Sequence, residues 1–113
     1  MSEIGNVLYP VPEIGKAVAF YAGALGLSVK FQDGERYAAL DGGRTTLALA
    51  GPGEDVTGGR PAASFKVADV ARAVADLERA GAAVVSGADE GPHEIRAVLS
   101  DPWGNPIVIY SPR

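Results

Sequence analysis

Few side chains in this sequence are suited to covalent or acid–base chemistry. There is no cysteine, which excludes a thiolate nucleophile, a disulfide framework and sulfur-ligated zinc. The single histidine, His93, stands in the turn-rich segment Gly91–Glu94, where an imidazole could act as a general acid or base. A loop histidine beside a glutamate is more often simply solvated. The sequence therefore offers His93 as a catalytic candidate, with solvation as the competing explanation.

Charge and length limit the partners and the location of the chain. The net charge is −4 and the lysines and arginines are scattered singly, so no basic stripe is available to bind a nucleic-acid backbone. The 113 residues, 47% of them hydrophobic, suit one domain with a real core. The N-terminal residues lack the pattern of a signal peptide, and no apolar run reaches the length of a membrane span. These features predict a cytoplasmic protein without nucleic-acid or membrane partners.

The elements that must position any site are organised by an internal repeat. The segment Val11–Val29 recurs as Val67–Val85 after a shift of 56 residues, which is close to half the chain. The shift aligns Lys16 with Arg72 and Ala17–Val18–Ala19 with Ala73–Val74–Ala75. A repeat that divides the chain into near-equal halves indicates a duplicated structural unit.

Each copy of the repeat predicts a helix. In the first copy Ile14, Val18, Tyr21 and Leu25 follow the spacing of one helical face, so we expect this face to be buried. In both copies we expect a carboxylate to accept from free backbone N–H groups at the start, and a glycine to take a left-handed conformation at the end. The residues concerned are Glu13 with Gly26, and Asp69 with Gly81.

Strands surround both helices. β-Forming stretches predict strands over residues 4–11, 28–32, 36–40 and 45–50 in the first half, and over 62–67, 83–86, 95–99 and 106–110 in the second. We expect Ser86 to lead into a loop that contains His93. The prediction is a single α+β domain of two tandem βαβββ modules, residues 1–50 and 62–113, joined by the linker 51–61. Their strands are expected to form a curved mixed sheet with a concave ligand cavity.

Four stretches together resemble the vicinal oxygen chelate superfamily, which contains glyoxalase I, the extradiol dioxygenases and the bleomycin resistance proteins. They are the strand Asn6–Val11, the helix Phe20–Gly26, the entry Phe65–Val70 to the second helix, and the turn Asp101–Pro106. The order and spacing of these stretches, with the repeat, extend the resemblance over nearly the whole chain.

The resemblance implies a metal site that this chain cannot build. The four ligand positions of the superfamily's enzymes fall on Asn6, Ala48, Ala62 and Val108. A divalent cation needs carboxylate or imidazole donors, and of these four residues only Asn6 offers even an amide oxygen. The resemblance therefore implies the metal-free, bleomycin-resistance-like branch, with no metal and no cofactor.

Residues near those four positions are the expected ligand contacts. Strand alternation places Asn6 with Leu8, and Ala62 with Ser64, on the face that the superfamily turns toward its ligand. Small neutral residues there suit a flat organic ligand. Trp103 is expected at the cavity mouth, with Tyr9 or Tyr37 nearby, where its indole would contact a ligand or a second subunit or else pack on its own turn. The full set of ligand-binding candidates is Asn6, Leu8, Tyr37, Ala48, Ala62, Ser64, Arg96, Trp103 and Val108.

Three functions remain open at this point. The first is a metal-independent protein that binds or sequesters a small aromatic molecule, such as an antibiotic, as a homodimer. The second is an enzyme of the same fold, either a metal-free lyase or isomerase or a dioxygenase-like protein, acting on a small organic substrate through His93, tyrosine or arginine groups. The third is a protein whose inner face serves assembly or regulation.

Overall fold

The computed structural model describes residues 2–113, which form two compact units. The first is Asn6–Pro61, and the second is Ala62–Arg113 together with the N-terminal residues through Gly5. Along the chain the elements are β1 (Glu3–Pro10), α1 (Ile14–Leu25), β2 (Val29–Asp33), β3 (Tyr37–Asp41), β4 (Thr46–Ala50), a 3-10 turn (Pro52–Glu54), β5 (Ala62–Lys66), α2 (Val70–Arg79), β6 (Ala83–Glu90), β7 (Glu94–Ser100) and β8 (Pro106–Pro112). Neither helix of the described chain has the length and apolar character needed to cross a membrane.

The two units have the same topology. In the 6–61 unit the strand order is β2-β3-β4-β1, with β1 parallel to β4 and the other pairs antiparallel. In the 62–113 unit the order is β5-β8-β7-β6, with β5 parallel to β8. The predicted α+β class and the βαβββ order of each half are confirmed.

Each helix covers one face of the strands in its own unit. In the 6–61 unit Ile14 of α1 is fully buried against Ala38, Leu40 and Leu49, and Tyr21 packs at the edge of this cluster. The expectation for Leu25 is wrong, because it is 66% exposed. The packed residues of α1 run from Ile14 to Tyr21, so the last turn of the helix projects beyond the cluster.

The second unit repeats this arrangement with α2. Val70 lies against the buried residues Ala97, Leu99 and Ile109. Phe65 of β5 packs against the same cluster.

The helix starts differ between the two units. Asp69 Oδ1 accepts from the backbone N–H of Arg72 at 3.1 Å, as predicted. Glu13 makes no such bond and instead pairs with Lys16 at 3.1 Å, so its predicted role is wrong. The free N–H of Gly15 donates to Glu35 Oε2 at 2.9 Å, which supplies a cap from a distant part of the sequence. The longer glutamate side chain at position 13 reaches the next turn and leaves the backbone donor to Glu35.

The helix ends follow the prediction. Gly26 has φ +70° and Gly81 has φ +113°, a backbone region that side chains with a Cβ rarely enter.

The strand predicted to stop at Ser86 continues to Glu90, which corrects the expected loop. The pairing of β6 with β7 shifts register on both sides of Ser86, and these irregularities allow the turn-forming residues beyond it to stay paired.

Candidate functional site

The strands of the 6–61 unit present one face away from α1, here called the helix-free face of that unit. Tyr9, Leu47 and Leu49 pack toward α1, so the residues alternating with them lie on the opposite face. The strand register arranges these residues in three rows: Asn6, Thr46 and Asp41; Leu8, Ala48, Ala39 and Phe31; and Pro10, Ala50, Tyr37 and Asp33.

The first row carries polar groups that are not all satisfied. Asn6 Oδ1 is buried and has no hydrogen-bond partner within residues 2–113. Thr46 is directly opposite Asn6, and its Oγ1 accepts from Lys30 Nζ at 2.7 Å. An unsatisfied buried acceptor costs about 1–3 kcal/mol, so a donor group on a bound molecule would be stabilised at Asn6. Sequence reasoning missed Lys30, because the register shift between Val29 and Phe31 removes simple alternation in β2.

An aromatic pair lies at the outer strands of the same face. The rings of Phe31 and Tyr37 are stacked, with centroids 5.7 Å apart and planes 27° apart. Phe31 is 54% exposed, so this pair is accessible from solvent. Of the two tyrosines expected near a ligand, Tyr9 packs toward α1 instead, with its ring centroid 6.1 Å from that of Tyr21.

The 62–113 unit has its own helix-free face. The register places Ser64 next to Val108, and Arg96 next to Tyr110, while Phe65 and Ile109 pack toward α2. Ala62, two residues before Ser64, falls on this face by alternation. The Arg96 guanidinium lies 3.6 Å from Glu94 Oε2 and forms an ion pair with it. The structure thus brings four of the predicted ligand residues to one face of this unit.

Burial separates the candidates into two groups. Leu8, Ala48, Ala62, Ser64 and Val108 are between 0% and 7% exposed. Asn6, Tyr37 and Arg96 are half-buried. The half-buried candidates therefore carry a polar group or a ring, and the buried candidates pack within the strands of their own unit.

Trp103 lies on the turn between β7 and β8 and is 83% exposed. The turn is held by Asp101, whose Oδ1 accepts from the backbone N–H groups of Trp103 (2.9 Å) and Asn105 (2.8 Å). The Asn105 side-chain amide donates to Asp101 Oδ2 at 2.9 Å, and this bond is the main cause of a lowered pKa of Asp101. The indole does not pack on its own turn, so its apolar surface is free to contact a ligand or a partner.

His93 is exposed in the turn between β6 and β7. Its carbonyl oxygen accepts from the backbone N–H of Arg113 at 3.0 Å, and its ring has no hydrogen-bond partner in the described chain. His93 therefore belongs to the 62–113 unit, where it lies in a turn and outside the strands β5, β7 and β8 that carry Ala62, Ser64, Arg96 and Val108.

The residues present do not fit the divalent metal of the superfamily's enzymes. Asn6, Ala48, Ala62 and Val108 provide no carboxylate and no imidazole. Across residues 2–113, no three His, Cys, Asp or Glu side chains come together as a possible metal site.

The sequence of this chain matches a known protein family and a bacterial relative over nearly its whole length. The Glyoxalase-like domain family matches residues 6–110. A protein from Mycolicibacterium smegmatis is 41% identical over 110 residues, which cover 97% of this chain and 94% of that protein. That relative is described only as uncharacterized.

Two solved structures share the fold at low sequence identity. A glyoxalase/bleomycin resistance protein/dioxygenase superfamily member from Vibrio splendidus has a TM-score of 0.76 and 14% identity, covering 98% of this chain and 99% of that one. A methylmalonyl-CoA epimerase from Streptomyces coelicolor has a TM-score of 0.74 and 23% identity, covering 96% and 95%. The repeated βαβββ unit has the fold of these two structures, and the family match over residues 6–110 identifies the chain as a member of the Glyoxalase-like domain family.

Proposed function

We propose that this protein binds a planar aromatic small molecule without the help of a metal, in the manner of a sequestering protein of the bleomycin-resistance type. The observation that carries this proposal is the donor set at the four superfamily ligand positions. Asn6, Ala48, Ala62 and Val108 offer a divalent cation one neutral amide oxygen between them.

The helix-free face of the 6–61 unit supports an aromatic ligand. The Phe31–Tyr37 stack exposes ring surface on which a further flat ring can pack, at the ring separations typical of aromatic pairs. Lys30 directly precedes Phe31 of this stack, and its ammonium donates to Thr46 Oγ1. A polar substituent on the ligand that both accepts from Lys30 and donates to Asn6 Oδ1 would complete the first row.

A titration tests the proposal. Flat heteroaromatic compounds that carry a donor and an acceptor, including intercalating antibiotics, are titrated calorimetrically into the protein in the presence of EDTA. We expect saturable binding that Tyr37→Leu weakens by about 1–3 kcal/mol, the range of an aromatic anchor. Phe20→Leu is the matched control, since Phe20 is a 64% exposed aromatic on α1. Equal losses in both variants would mean that binding is nonspecific.

The same samples discriminate binding from catalysis. A sequestering protein returns the ligand chemically unchanged, whereas a lyase, isomerase or oxygenase converts it. Mass spectrometry and NMR of the recovered ligand after long incubation read out this difference. Conversion that His93→Ala abolishes would replace the binding proposal with the enzyme alternative.

A further inference from the structure

A cavity lies in the 62–113 unit between α2 and the strands β5 and β8, on the side of these strands that faces the helix. Its volume is about 600 Å³, within the range of cavities that hold small organic ligands. Phe65, Leu77, Ile107 and Ile109 supply an apolar wall, and the charged residues at its edge are Asp69, Arg72 and Asp76. Phe65 and Ile109 alternate along their strands with Ser64 and Val108. The cavity is therefore on the opposite side of the strands from the helix-free face of the 62–113 unit.

The internal repeat explains why the space is open. The 56-residue shift aligns Tyr9, Phe20 and Tyr21 with Phe65, Asp76 and Leu77. In the 6–61 unit the ring of Tyr21 contacts both of the others, with Tyr9 at 6.1 Å and with Phe20 edge to face at 5.1 Å. In the 62–113 unit two of these rings are replaced by smaller side chains, and all three counterparts line the cavity.

The same comparison explains an unpaired charge at the cavity edge. Lys16 is paired with Glu13 in the 6–61 unit. The residue equivalent to Glu13 is Asp69, whose side chain is shorter by one methylene. Asp69 accepts from the backbone N–H of Arg72 and does not pair with the Arg72 guanidinium. Asp76, one helical turn beyond Arg72, pairs with Arg79 and not with Arg72. Within residues 2–113 the Arg72 guanidinium therefore has no ion pair and no hydrogen bond.

We propose that this cavity is a second binding site, for a small amphipathic carboxylate whose apolar body packs on Phe65, Leu77 and Ile109 and whose carboxylate pairs with Arg72. Guanidinium and carboxylate form two parallel hydrogen bonds, which selects an anion over a neutral amide of the same shape. The two acidic residues at the edge are already engaged, one with the helix N-terminus and one with Arg79.

The test compares 2-naphthoate with its neutral isostere 2-naphthamide by isothermal titration and by ¹⁵N amide shifts. We expect 2-naphthoate to bind saturably at one site and to shift the amides of residues 65–79. Arg72→Gln should weaken 2-naphthoate about tenfold, since a hydrogen bond to a charged group is lost, and leave 2-naphthamide nearly unchanged. The matched control Lys16→Gln, at the equivalent position of the first unit, should change neither affinity.

Filling the cavity tests its location. Leu77→Tyr restores the ring of the repeat-equivalent Tyr21 and should abolish binding of both probes, with the fold verified by the thermal transition. Ala73→Met, which adds bulk to the same wall, replaces this variant if it fails to fold. The proposal is overturned if 2-naphthoate fails to bind saturably, or if Arg72→Gln leaves its affinity unchanged. It is also overturned if a folded Leu77→Tyr or Ala73→Met variant binds 2-naphthoate with unchanged affinity. Amide shifts confined to residues 30–46 would place the probe on the helix-free face of the 6–61 unit. This outcome would reject the second site and would leave the proposed function standing.

Discussion

The hydroxyl of Tyr110 occupies the space in which a side chain on Gly5 would begin. A Cβ built on Gly5 would lie 1.8 Å from Tyr110 Oη and 2.8 Å from Tyr110 Cζ. Gly5→Ala should therefore lower the free energy of unfolding by about 1–3 kcal/mol, the usual cost of forcing atoms into a packed site. Urea denaturation measures this loss. Combining Gly5→Ala with Tyr110→Leu should give a smaller loss than the sum of the two single variants, and strict additivity would show that the two residues do not compete for space.

The donor set predicts that the protein takes up no stoichiometric transition metal. Because Ala48, Ala62 and Val108 have no lone pair to offer, zinc, nickel, iron and manganese should be absent from the purified protein by elemental analysis. A chelator should leave the melting temperature unchanged, since no binding energy is coupled to folding. One bound metal per chain would contradict this prediction.

Acid should weaken the β7–β8 turn. Hydrogen bonds from Asn105 and from the backbone lower the pKa of Asp101 in the folded state, so its carboxylate stabilises the fold above the ordinary aspartate value of 3.8. This contribution is lost as the pH falls through the lower folded-state pKa. The melting temperature of Asp101→Asn should lie below that of the unsubstituted protein at neutral pH, and the gap should close at low pH. A gap that stays constant with pH would assign the difference to the amide geometry alone.

Trp103 provides a spectroscopic test of ligand binding. It is the only tryptophan, and its indole is 83% exposed. If the indole anchors an aromatic ligand, titration should quench its fluorescence saturably, and Trp103→Ala should weaken binding by about 1–3 kcal/mol without lowering the melting temperature. Unchanged affinity with a changed melting temperature would give the indole a structural role.

We expect a homodimer in solution. The edge strands β2 and β6 are exposed along their whole length, and large apolar side chains such as Phe20, Leu25 and Val85 are more than 60% exposed. Covering such surface with a second copy is favourable, and closed two-fold pairing is the commonest solution. Light scattering at micromolar concentration should give twice the chain mass of 11.6 kDa. A mass of one chain would count against this expectation.

The repeat made the fold predictable, because apolar spacing and turn residues act locally. The positions of Asp69 and Gly26 were sufficient to predict a helix start and a helix end, since each depends on neighbouring backbone atoms. Glu35 could not be predicted as the cap of α1, because that contact joins residues 20 apart in sequence.

The candidate site was less accessible to sequence reasoning. Lys30 reaches Thr46 only because β2 is irregular, and no sequence pattern marks that irregularity. Tyr9 is a different case, since strand alternation already separates it from Asn6 and Leu8.

The two register shifts in β6 bear on how the protein behaves at high concentration. An edge strand with a long, straight row of free N–H and C=O groups invites strands of other molecules to add to it, and the apolar Val84 and Val85 would strengthen that tendency. The shifts on either side of Ser86 break the row into short pieces, and Asp89 and Glu90 charge its far end. We expect these features to disfavour uncontrolled strand addition and fibrillar aggregation at this edge, even though its valines face solvent.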